Sequence, residues 1–194
     1  MRQVLTALGM HVQVPAGPWV RGIAPFVFAP KDSKGALVPW PWAGIAQTPD
    51  GRVVVVAQQC GRVPGSGLDG EVSRTVCAVY LPAVQLPFVV VTGREGVPLP
   101  QLRQSVALEL ETFNRSLWAY GPEPQAVYAL MHPRAMSEVL RTLPDGAAIT
   151  FAGQSIAVHS DEPVLPVDLP SYVATAMALA DLIPTYLHQQ NPQY

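Results

Sequence analysis

Prolines set the first limit on what this chain can become. Twenty-one of them are spread along 194 residues. A proline inside a helix removes one hydrogen bond and clashes with the carbonyl four residues back. A chain cut this often is expected to consist of short elements, which argues against an all-helical bundle. It is not a disordered chain either. Hydrophobic residues make up 49% of it and charged residues 13%, so there is enough apolar surface to offset the entropy of folding.

The low charge also bears on function. Ordinary globular chains are about a quarter charged. Either this surface is built from Gln, Ser, Thr and Pro, or another subunit covers part of it. The net charge is −2 and the isoelectric point is near 6.0, with arginines scattered from Arg21 to Arg141. No field of one sign would draw nucleic acid. No run approaches the roughly 18 apolar residues of a membrane span. The start, Met1 to Leu8, is too short and too polar downstream for a signal peptide. The chain therefore reads as soluble and cytoplasmic.

Turn chemistry and periodicity place the elements. Residues 2–9 fit a short helix closed by Gly9, and His11–Val14 a short strand. Residues 15–49 are punctuated by proline and glycine and fit edge strands or extended pieces. Pro49-Asp50-Gly51 is a turn, with proline presetting φ and glycine accepting φ > 0. Strands are expected at Val53–Cys60, Val72–Leu81 and Leu86–Thr92, forming an antiparallel meander. Four consecutive valines imply a strand covered on both faces. In the second half, a helix is expected at Leu102–Leu110, a strand at Thr112–Tyr120, and helices at Pro124–Met131 and Pro133–Leu143. A hairpin of Ala147–Phe151 and Ser155–His159 turns at Gly153. A last helix, capped by Asp168, should reach about Gln189 with a kink at Pro184.

The expected class is thus α+β: an antiparallel β-meander or sheet with helices packed on it and a C-terminal helix-hairpin-helix portion. It forms one compact domain over residues 1–194, divisible into a mostly β part (1–93) and a mixed part (94–194) with a long C-terminal helix.

One stretch carries a family likeness. Glu111-x-Phe113-Asn114-Arg115, the helix with Ala126 and Leu130, His132-Pro133-Arg134-x-Met136 and Leu182-Ile183-Pro184 resemble a family of uncharacterised actinobacterial proteins, themselves similar to bacterial domains of unknown function. The match runs over about residues 109–187. The N-terminal half agrees loosely, through Gly22-x-x-Pro25-Phe26 and a strand pair. Trp40-Pro41-Trp42 departs from the pattern. The resemblance implies a compact α+β domain and no reaction.

The residues themselves support structural roles for that motif. Phe113 suits a core anchor, and Asn114 suits local backbone bonding. Arg134 in a first turn is unfavourable against the helix dipole, so a carboxylate partner is expected, with Glu111 nominated.

Chemistry-bearing groups are sparse. Two cysteines, Cys60 and Cys77, match no zinc spacing; a disulfide between neighbouring strands stays open beside two reduced thiols. His11, His132, His159 and His188 are dispersed, with no second ligand at helical spacing, so no metal and no cofactor is expected. His132 is a candidate base or a capping residue. Glu109 and Glu111 would share a face of a strand and could serve acid–base chemistry, or form a solvated edge. Residues 61–70 lack the Gly-Lys-Ser/Thr of a phosphate loop, and Ser66 lacks a nucleophile elbow. Trp40-Pro41-Trp42 offers two large rings on a stiff backbone, the composition of an interface anchor.

Three readings follow. The first is a non-enzymatic protein-binding or assembly module, self-associating, with Trp40, Trp42 and Arg134 as binding residues. The second is a small-molecule-binding or hydrolytic enzyme whose pocket is lined by His132, Glu109, Glu111 and Arg134. The third is an accessory protein of a phage or mobile element that acts on a host protein.

Overall fold

The structure is a computed structural model and describes residues 2–13, 42–62, 71–93, 105–160, 162 and 164–187. The chain is α+β. Among the described residues, eight antiparallel strands form one sheet, and five helices pack on it.

The first half forms as its turns dictate. Helix α1 (Arg2–Ala7) is followed by Gly9 at φ +72°, and strand β1 (His11–Gln13) follows. β2 (Trp42–Gln47) and β3 (Val53–Arg62) are joined through the Pro49-Asp50-Gly51 turn, with Gly51 at φ +84°. β4 (Glu71–Tyr80) and β5 (Leu86–Gly93) complete the set.

The meander does not continue past β4. The sheet order is β1-β2-β3-β4-β8-β7-β5-β6. The hairpin of β7 (Ala148–Gly153) and β8 (Ser155–Ser160) sits between β4 and β5. Each of those strands gains a partner that its neighbour in sequence would have denied it. The short connection after β4 spans the closed end of this hairpin, where Gln154 holds it. Leu81 N–H donates to Gln154 O at 2.7 Å. The Gln154 amide donates to Pro82 O at 2.9 Å, and Tyr80 Oη donates to Gln154 Oε1 at 2.7 Å.

The second half departs from expectation at two other places. No helix is present over residues 105–110; residues 101–104 lie outside the described set. Instead Val106 N–H donates to Ala119 O at 2.9 Å. A helical turn, α2 (Glu111–Ser116), precedes β6 (Leu117–Tyr120), where one strand was expected. The reason is Asn114. Its amide takes both backbone groups of Leu108, accepting from Leu108 N–H at 3.0 Å and donating to Leu108 O at 2.6 Å. That clamp needs the tight turn, and the turn drives Phe113 into full burial.

Helices α3 (Pro124–Leu130) and α4 (Pro133–Thr142) lie where the sequence places them, each opened by proline. α5 (Leu169–Asp181) is shorter than expected. It ends before Pro184, whose missing N–H cannot continue it, and a 3-10 turn follows at Thr185–Leu187. Asp168 holds the cap position, but its side chain makes no cap bond. Ser171 closes that end, its N–H donating to Asp168 O at 3.0 Å and its hydroxyl at 2.6 Å.

The main core lies between sheet and helices. Its spine is one row across six strands: Val56, Cys77, Val158, Ile149, Val91 and Ala119, in register and all buried. The other sheet face carries a smaller buried cluster that includes Val55, Ala57, Val76, Ala78 and Ala157. The valine run is therefore buried on both sides, as its lack of alternation required. Register also closes the disulfide question. Cys60 lies opposite Ser73 and Cys77 opposite Val56. Four residue steps separate the two cysteines along the strands, roughly 13 Å, against the ~7 Å limit of a disulfide.

Candidate functional site

The four nominated pocket residues are drawn into the scaffold or left in solvent. His132 is the N-cap of α4. Its Nδ1 accepts from Ala135 N–H at 3.4 Å, and its Nε2 lies 3.1 Å from Leu182 O. An accepting Nδ1 fixes the tautomer, so Nε2 carries the proton and donates to Leu182. Leu182 is the C-cap of α5, where carbonyls lack helical partners. Thr175 of α5 does the same in return. Its hydroxyl lies 2.7 Å from Thr142 O at the end of α4, and 2.9 Å from Ser171 O. The two helices run antiparallel and each closes the other's C-terminus.

Glu111 does not meet Arg134. Its carboxylate pairs with Arg115 one turn along α2, at 2.5 Å, with both side chains exposed. The i,i+4 partner on its own helix is within direct reach of the carboxylate, which explains the miss. Glu109 is exposed, and Arg134 is exposed with no ion-pair partner among the described residues. Trp40 lies outside the described residues. Trp42 opens β2 opposite Gln58.

The groups that do converge lie on the second sheet face. One row in register reads Ala57, Val76, His159, Ala148, Thr92 and Trp118. The next reads Val55, Ala78, Ala157, Thr150, Val90 and Tyr120. The second row is buried along its whole length, whereas His159, Ala148, Thr92 and Trp118 are half-buried. Small side chains form the floor, and aromatic rings stand at the β6 end. Trp118 and Tyr120 meet edge to face, with centroids 6.0 Å apart. His159 Nε2 lies 3.0 Å from Thr150 Oγ1, a diagonal cross-strand pair.

Thr150 is 6% exposed, so its hydroxyl is closed to a substrate carbonyl. Burial pushes the Tyr120 phenol up. Among the described residues, no group of three His, Cys, Asp or Glu side chains could hold a metal ion.

No family model matches the chain, and no curated protein matches it in sequence. Among solved structures, it is similar to the mycobacterial trehalose monomycolate transport factor A, TtfA, with a TM-score of 0.65 and 14% identity over 99% of this chain and 96% of that one. The likeness is one of fold, and it lies with an actinobacterial protein. No described helix is long and apolar enough to cross a membrane.

Sequence reasoning missed Thr150, Trp118 and Tyr120, and read His159 only as one of four dispersed histidines. The available signal was period-two spacing: 118 with 120, 148 with 150, 157 with 159. Each pair alone is too short to reveal that all three share a face.

A second exposed feature lies at the approach to α5. Leu165 is 63% exposed and Val167 76%, on one turn closed by Asp168 N–H donating to Leu165 O at 3.0 Å. Tyr186, 70% exposed, stands beyond the other end of the same helix.

Proposed function

We propose that this chain is a non-enzymatic binding module that self-associates through apolar contacts. The observation that carries the reading is the Leu165–Val167 turn, which holds two aliphatic side chains in solvent. Three titratable groups are engaged within the fold, which supports it: His132 at two helix ends, Glu111 with Arg115 and His159 with Thr150; Glu109 stands exposed. The structural neighbour is named a transport factor, which accords with a protein that works by contact. Arg134, exposed at the start of α4, and, from the sequence, Trp40 and Trp42 are further proposed contact residues.

Light scattering coupled to size exclusion tests this. The expected molar mass is a whole multiple of 20.8 kDa, falling to the single-chain value in a Leu165→Ser, Val167→Ser double variant that keeps the native circular dichroism. A single-chain mass for the unaltered protein across micromolar to near-millimolar concentrations refutes self-association. An assembly that the double variant leaves intact refutes the assigned contact.

A further inference from the structure

We draw no further inference here: the strongest candidate, the half-buried row of His159, Ala148, Thr92 and Trp118 across the second face of the sheet, belongs to the site already described, and nothing in the structure shows what covers it.

Discussion

Replacing His132 by alanine separates a structural histidine from a catalytic one. The imidazole holds Ala135 N–H at 3.4 Å and Leu182 O at 3.1 Å. Loss of an N-cap costs about 1 kcal/mol. Leaving a partly buried carbonyl without its donor costs about 1 kcal/mol more. The sum, about 2 kcal/mol, lowers the melting temperature of a chain this long by roughly 4–8 °C. His132→Asn divides the two contributions. Asparagine is a good N-cap but is too short to bridge to Leu182, so this variant should lose about 1 kcal/mol, half the alanine effect. Urea unfolding followed by circular dichroism reads both, with the slope against denaturant unchanged. An alanine variant within ~0.5 kcal/mol of the parent refutes the double-cap assignment. An asparagine variant as unstable as alanine refutes the division between the two bonds.

Three further outcomes follow from the same contacts. Thr175→Val keeps the shape but removes the hydroxyl between Thr142 O and Ser171 O; because the site is fully buried, it should cost about 1–2 kcal/mol in urea unfolding, and a neutral result would mean that the α4 end is closed by other means. Burial pushes the Cys77 thiol far up, so in a Cys60→Ser background the remaining thiol should resist a colorimetric disulfide reagent until the chain is unfolded; fast modification of the native protein would contradict the placement of β4 under α5. The hydrogen bond from Thr48, with Arg52 beside it, holds the Asp50 carboxyl below its ordinary value. A depressed carboxyl contributes stability that is present above its ordinary pKa and lost as pH falls through the folded one. Asp50→Asn should therefore lower stability at neutral pH by an amount that fades below about pH 4, and a pH-independent difference would refute the electrostatic cause.

Local chemistry was legible wherever it was decided locally. Pro49-Asp50-Gly51 specified a turn, Pro124 and Pro133 opened helices, and the valines from Val53 onward announced a strand buried on two sides. What escaped depends on distant partners. Nothing near Leu86 shows that β5 will pair with Ala148–Phe151 instead of β4, because the choice is made by a hairpin more than fifty residues later. Alternation from Thr112 to Tyr120 suggested one strand, but Asn114 recruits Leu108 and bends the first half into a helical turn. The candidate site was hidden for the same reason. Thr92, Trp118, Ala148 and His159 come from four strands and meet only through register. Of the residues nominated from sequence, His132 meets the Ala135 N–H and the Leu182 carbonyl, and Glu111 meets Arg115 instead of Arg134.

The late hairpin has a consequence during synthesis. Residues 75–80 of β4 pair with residues 155–160, so for some eighty residues of translation that valine-rich edge has no partner. At about 5–20 residues per second, it stands open for roughly 4–16 s on each ribosome, where another nascent chain could pair with it. A chain that stops before Ser155 keeps that edge permanently, so truncated products should collect in aggregates even though they contain every residue of β1 to β6.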